Sequence, residues 1–465
     1  MKKENYTERL GTAPLARLLV ALSLPGIAAT VTSSLYNVVD TFWVARLGHE
    51  AIAALTIVFP YQILFIAVGV GTGVGVGALV SRRFGENNLE ATNHAAGQIF
   101  FLSVLWGIIF IVAAVFFHRE ILTAFGATPD IMEYSTQYLV ITAYGAPQMV
   151  FALVASHLIR GSGDAVKPMI MMISASVLNI VLDPLMILGI GPFPEMGIRG
   201  AALATVIAQS FGAALGLFYF LTRRTAFRIR PHHLRPDIPL LRDIYRVGTP
   251  STVLEFTESL SFVLFNNVVS AFGSVAIAAV GLVMRISDLA FMPIIGVSHG
   301  LLPIVGYNFG SGDYRRLWRA VRLAATGIAL LLALATVFVE ILAPQIIGIF
   351  SDDAELLAVT IPSMRIMLAT LVFLGPNIMF ITAFQGLSRG GLALLLSLLR
   401  QFILFIPLLY LLSYLFGLNG VWWSLPASDT LGFILTMGFV QWLYRGHQRE
   451  GRFSGAAPGG TAGGA

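Results

Sequence analysis

The sequence predicts an all-α polytopic membrane protein, with twelve transmembrane helices in two parallel-repeat six-helix bundles. Three observations carry that expectation. The 465 residues are 57% hydrophobic and only 11% charged, whereas an ordinary soluble domain has roughly a quarter of its residues charged. Apolar stretches long enough to cross a bilayer recur twelve times. The second half of the chain also repeats the first at an offset of 225 residues.

The spans are expected near 15–42, 52–80, 95–117, 131–158, 168–190 and 200–222, and again near 247–270, 277–305, 322–343, 356–384, 392–415 and 421–443. This divides the chain into an N-terminal lobe (1–222), a linker (223–246), a C-terminal lobe (247–445) and a flexible tail (446–465). The linker, RRTAFRIRPHHLRPDIPLLRDIYR, is basic and Pro-bearing, and reads as a topology anchor rather than a lipid site. The tail ends in GAAPGGTAGGA, a small-residue composition that cannot bury a core. The polar opening MKKENYTERLGTAP leads straight into a full-length span, unlike a cleavable signal with its short apolar core.

Orientation follows from Arg and Lys. With the N-terminus inside, 23 of the 29 basic residues fall in inner segments and only Arg46, Arg119 and Arg199 fall outside. Arg285, Arg365 and Arg400 lie within spans. The positive-inside rule then places both termini in the cytoplasm of a multi-pass protein of the plasma membrane. The net charge of +5 is a topology signal, so no nucleic-acid partner is expected. With no cysteine, disulfides, iron–sulfur clusters and thiol catalysis are excluded.

The repeat is direct. At the 225-residue offset Pro25 meets Pro250, GHEAIAAL from Gly48 meets GSVAIAAV from Gly273, Gly71 and Gly75 meet Gly296 and Gly300, and Phe84-Gly85 meets Phe309-Gly310. Six spans is an even number, so both halves run the same way through the membrane. Transporters built on such parallel repeats place their sites between or within the bundles and rock one against the other.

The first span, LPGIAATVTSSLYNVVDTFWVARLG, combines a kink candidate at Pro25-Gly26 with one carboxylate, Asp40. An Asp at a helix centre costs ~2.5–3.5 kcal/mol on insertion scales, so an intramembrane acid is a functional candidate by default. The fifth span, VLNIVLDPLMILG, carries Asp183 with Asn179 one turn before it. Residues i and i+4 share a helix face, which pairs Asn179 with Asp183 and Tyr36 with Asp40. Both acids lie roughly 9–12 Å below the outer surface at 1.5 Å per residue. Tyr138, Thr205 and Gln209 reach a similar depth, and Asn37 adjoins Tyr36. Such a level of carboxylates, amide, hydroxyl and phenols suits a proton site, or an Na⁺ site at Asp40, Asn179 and Asp183. A structural polar network that only specifies helix packing is the other reading.

In the second half, Glu255 and Glu258 on the seventh span line a cavity or serve structure, with the two readings evenly balanced. Asp288 is a third cavity-lining candidate, although Arg285 at i, i+3 favours a local ion pair. Asp429 has no assigned role. The run GVGTGVGVG (69–77) lacks a nucleotide-binding register. Its spacing is the small-xxx-small pattern that lets membrane helices pack closely. The eight His show no metal-ligand spacing and no hydrolase motif is present, so no enzyme is expected.

These features together resemble the multidrug and toxic compound extrusion (MATE) transporters over about residues 10–445, and most closely the DinF-like branch. LYNVVDTFWVARLG, LNIVLDP, the early Pro-Gly and the FG-containing loops carry the likeness. The resemblance implies a secondary antiporter. Inward H⁺ or Na⁺, with no further cofactor, would drive export of amphipathic, often cationic, compounds by alternating access in a monomer. It also implies a cation-coupling site in the N-terminal lobe at Asp40, Asn179 and Asp183, with Tyr36, Tyr138 and Thr205. The NorM-like branch uses acids on the seventh and tenth helices, and the tenth span here, IPSMRIMLATLVFLGPNIMF, has none. A flippase for lipid-linked oligosaccharide or peptidoglycan precursors is the alternative. Such flippases usually line their cavities with basic residues, for which only Arg285, Arg365 and Arg400 are available.

Overall fold

Helix formation is what a chain in hydrocarbon must do to satisfy its own backbone, and every regular element among the described residues of the computed structural model is helical. The structure describes residues 6–350 and 353–449. The first bundle comprises α1 (Leu15–Ala45), α2 (His49–Gly85), α3 (Leu89–Phe116), α4 (Pro129–Tyr144 and Ala146–Gly161), α5 (Val166–Ile187) and α6 (Ile198–Leu221). The second comprises α7 (Ile238–Ser270), α8 (Ser274–Gly310), α9 (Tyr314–Gly348) and α10 (Ala354–Leu368 and Leu371–Gly386). It continues with α11, which runs from Gly390–Leu398 through a π-helical stretch, Leu399–Leu404, into the helix Phe405–Arg449. That last helix breaks at Gly417, whose φ of 59° and ψ of −138° only glycine tolerates, and α12 follows the break. The helix reaches Arg449, so the first residues of the expected flexible tail are helical. The remainder, 450–465, lies outside the described residues.

The repeat is visible helix by helix. The bounds of α2 and α8 sit one 225-residue offset apart, as do the starts of α3 and α9. The caps match as well: Asn88 accepts from the amide of Ala91, and Asp313 accepts from the amide of Arg316. Both fourth helices of the bundles are bent, α4 by 50° at Gly145 and α10 by 43° at 369–370. These stretches are expected from sequence as unbroken spans. Pro147 at the start of the second segment of α4 explains its break, because its ring excludes a helical hydrogen bond there.

The glycine run of α2 serves two faces. A Cβ at Gly69 or Gly73 would come within 2.7 Å of Leu153 or His157, so one face closes on α4. Gly71 and Gly75 face α7, where a Cβ would meet Thr252, Ile244 and Gly248. Lipid tails are as apolar as the side chains, so this close packing, rather than burial from water, holds such helices together. The other side of α2 is fixed by Tyr61, whose hydroxyl donates to the Phe110 carbonyl at 2.6 Å.

By internal contact the chain falls into two compact units. One holds Leu24–Val80 and Asn88–Phe256. The other holds Glu8–Ser23, Ser81–Asn87 and the described residues from Thr257 to Arg449. The boundaries cut α1, α2 and α7 because their basic ends pack on helices of the other half. Gly75 lies against α7 in the first unit, and in the second a Cβ on Gly300 of α8 would come within 2.7 Å of the Ser23 hydroxyl of α1.

Candidate functional site

Five helices of the first unit enclose a cavity of about 730 Å³. Helix α1 contributes a polar stripe at four-residue spacing, Ser33, Asn37 and Thr41, flanked by Tyr36 and Asp40. Helix α2 adds Thr56, Phe59, Gln62 and Phe65, and α4 adds Tyr138, Thr142, Met149 and Ser156. Met171, Met172, Ala175, Ser176 and Asn179 come from α5, and Thr205, Gln209 and Gly212 from α6. Asp40 is the only charged residue in the lining.

Asp183 stands behind the wall, fully buried, one turn beyond Asn179. The Asn179 amide donates to Asp183 Oδ1 at 3.2 Å and reaches Thr205 Oγ1 at 3.5 Å. Gln62 reaches the Tyr138 hydroxyl at 3.5 Å. Asp40 Oδ1, Asn179 Oδ1 and Asp183 Oδ2 are buried and accept nothing. An orphaned buried acceptor is costly and is satisfied by a proton or a cation. Two carboxylates and an amide carbonyl form a hard oxygen set, which fits H⁺ or Na⁺ and not a soft metal.

The structure therefore brings Tyr36, Asn37, Asp40, Tyr138, Asn179, Thr205 and Gln209 to one cavity, with Asp183 directly behind it. It does not bring Glu255, Glu258 or Asp288 there; none of the three is in the lining. Pro25 and Gly26 lie within the continuous helix α1, where the Thr30 hydroxyl donates to the Gly26 carbonyl at 3.0 Å. The local ion pair expected between Arg285 and Asp288 is not made: both are exposed, and no ion-pair contact joins them among the described residues. Arg400 instead pairs with Asp429 at 2.8 Å, and Arg365 with Glu340 at 3.6 Å. The arginines that kept a pyrophosphate-holding cavity open are thus engaged, apart from exposed Arg285.

Sequence reasoning missed Ser33, Gln62, Met149, Met171, Met172 and Ser176. Gln62, a lone amide inside a span, and Ser33, in register with Asn37, were readable signals. The methionines carried none, since a Met facing a cavity has the same hydropathy as one facing lipid.

The MatE family model matches residues 25–185 and 250–411, two copies whose starts are the paired prolines Pro25 and Pro250. The multidrug export protein MepA of Staphylococcus saprophyticus is 26% identical over 426 residues, covering 91% of this chain and 93% of that protein. An outward-facing multidrug resistance MATE family transporter of the MOP superfamily superposes with a TM-score of 0.90 at 26% identity, covering 97% of this chain and 100% of the other. A MOP superfamily transporter from Pyrococcus furiosus, described as having a binding pocket of reverse polarity that suggests a different function, superposes with a TM-score of 0.88. It too is 26% identical, with 97% and 99% of the two chains covered. The fold alone therefore leaves the polarity of the pocket to individual residues. With both halves matched by the family model, this chain belongs to the MatE family, a family of multi-pass membrane transporters and not of enzymes.

Proposed function

We propose that this protein is a secondary antiporter that exports amphipathic, cationic organic compounds against inward H⁺ or Na⁺. The observation that carries this reading is the trio of buried, partnerless oxygens on Asp40, Asn179 and Asp183 at a cavity whose lining contains no Lys, Arg or His. An anionic, otherwise polar and apolar cavity attracts cations and repels phosphates. Its Met and Phe side chains repack around differently shaped ligands. Two close carboxylates in low dielectric resist ionising together, so H⁺, Na⁺ and a cationic compound compete for them. Tyr36, Tyr138 and Thr205 complete the shell, and Pro25-Gly26 supplies a point at which the helix that carries Asp40 can bend during the cycle. Both termini lie in the cytoplasm, as the arginine bias requires, and the protein works as a monomer in the plasma membrane with no cofactor beyond the coupling ion.

The test is ethidium transport in inside-out vesicles, with pH and Na⁺ gradients imposed separately. Uptake driven by one gradient and not by the other identifies the coupling ion. Transport indifferent to both gradients would overturn the antiport reading. Transport of a pyrophosphate-linked lipid in place of ethidium would restore the flippase.

A further inference from the structure

Outside the transport cavity, the linker folds onto the end of α3 and carries its own side-chain cluster. The chain around a short 3₁₀ helix, Pro231–Leu234, is held by bonds that span about 140 residues of sequence. Asn93 Oδ1 accepts the Arg228 amide at 2.8 Å. Gln98 donates to the carbonyls of His233, at 3.2 Å, and Arg235, at 2.9 Å, and accepts the Asp237 amide at 3.2 Å. Gly97 gives the His233 backbone room to lie directly on α3. Within this clamp Glu90 Oε1 meets His232 Nε2 at 3.1 Å and His233 Nε2 at 2.8 Å, and these atoms lie within 4.8 Å of one another. His94 Nδ1, 3.7 Å from Asp237 Oδ2, is the next ring, its centroid 5.9 Å from that of His233.

We propose that Glu90, His232 and His233 form a binding site for a late first-row divalent metal ion of the Zn²⁺ type. The histidine spacing in sequence gives no hint of it, because the third ligand lies 142 residues away. Two imidazoles and one carboxylate are a common protein set for Zn²⁺, with an outer position left for water. This mixed N/O set favours Zn²⁺ or Cu²⁺ over Mg²⁺ or Ca²⁺. Convergence of three ligand atoms from two segments, one of them pinned by four other hydrogen bonds, pre-organises the site. Glu90 and His232 are exposed, which leaves a route for the ion, while His233 is 1% exposed and fixes the inner corner.

The tautomers set a measurable condition. His233 Nδ1 accepts the Arg230 amide at 3.0 Å, so in the metal-free protein its proton sits on Nε2 and points to Glu90. Binding through Nε2 moves that proton to Nδ1, and the Arg230 amide must give up its acceptor. Metal binding is thus coupled to opening one turn of the linker while it clasps the linker to α3.

The experiment is Zn²⁺ titration of the full-length, tag-free protein in detergent, read by calorimetry and thermal unfolding, with Mg²⁺ as control. Wild type should bind one Zn²⁺ and melt higher, with Mg²⁺ inert. His232→Ala and Glu90→Gln, both at exposed positions, should each weaken binding at least tenfold and remove the thermal shift. Amide exchange at Arg230 should rise in the Zn²⁺-bound wild type. No saturable binding, or equal binding by wild type and both variants, would overturn the site. Because the readout is binding and not transport, its failure is separate from any failure of the antiport reading.

Discussion

Helices α5 and α11 hold equivalent positions in the repeat, yet one lines a cavity and the other contributes the arginine of a buried ion pair. The 225-residue offset aligns Ala175 with Arg400. For the sixth helices the alignment is set by Gly197 and Gly417, which share an unusual conformation (φ 55°, ψ −131° and φ 59°, ψ −138°). That match pairs Gly212 with Gly432 and Gln209 with Asp429. The contacts agree: a Cβ on Gly212 would lie 3.3 Å from Ala175, and one on Gly432 would lie 2.8 Å from the Arg400 stem. In the first half Ala175, Gln209 and Gly212 all line the cavity. In the second, Arg400 crosses the same station and pairs with Asp429 at 2.8 Å. Asp40 likewise has Phe265, 2% exposed, as its counterpart, and Phe265 packs on Phe405. Duplication supplied two equal frames. At these positions small side chains and an unneutralised Asp40 line a cavity in one, while a neutralised ion pair stands in the other.

The largest expected effect breaks the acidic side of that contrast. Asp40→Asn and Asp183→Asn keep size and hydrogen bonding but remove the charge, and each should reduce gradient-driven ethidium transport to background while the protein still folds. The double variant should be no worse than either single one, because residues acting as a unit are non-additive. Glu258→Gln, away from the cavity, should retain most activity. If Glu258→Gln is inactive and Asp40→Asn is not, coupling resides in the other half.

A second experiment transplants the plug. Ala175→Arg with Gln209→Asp copies the Arg400–Asp429 pair into the first half, and should lower ethidium affinity at least tenfold by fluorescence titration with folding retained. Undiminished affinity would mean that the substrate does not occupy this cavity. The reciprocal change, Arg400→Ala, leaves Asp429 buried and unpaired, and removing one partner of a buried pair typically costs about 3–5 kcal/mol. Unfolding titrations should show the loss, with recovery in Arg400→Met/Asp429→Leu. Wild-type stability in Arg400→Ala would show that the pair is solvated.

Much of this contrast was legible in sequence, but unevenly. The frame was readable because hydropathy and a 225-residue repeat are properties of the chain itself. Tyr36, Asp40, Asn179 and Asp183 were readable because i, i+4 spacing and depth along a helix are arithmetic. What could not be read depends on rotation about helix axes and on partners distant in sequence. The ion-pair contact expected at Arg285 and Asp288, three residues apart, is not made, whereas the pairs that the other two span arginines make join residues far apart in sequence, Arg400 to Asp429 and Arg365 to Glu340. Met171 and Met172 needed the helix orientation to be told from lipid-facing residues. The bends in α4 and α10 interrupt stretches whose hydropathy is continuous, so only Pro147 marked one of them.

The smallest expected effect compares the paired prolines. Pro25 precedes Asp40 on α1, and Pro250 occupies the same place on α7. Neither can donate a backbone hydrogen bond, so each leaves a carbonyl one turn earlier without its usual partner and makes the helix easier to bend. In α7 the neighbouring hydroxyls bond the preceding turn, Ser251 to Val247 at 3.0 Å and Thr252 to Gly248 at 3.1 Å, and Phe265 stands where Asp40 does in α1. If coupling acts through α1 alone, bending should matter only there. Pro25→Ala should slow gradient-driven efflux several-fold with ethidium affinity unchanged, whereas Pro250→Ala should stay within about twofold of wild type. Initial rates and equilibrium binding on the same preparations separate the two effects. Equal slowing by both substitutions would show that the two halves bend together, and that the asymmetry of their side chains does not extend to their motion.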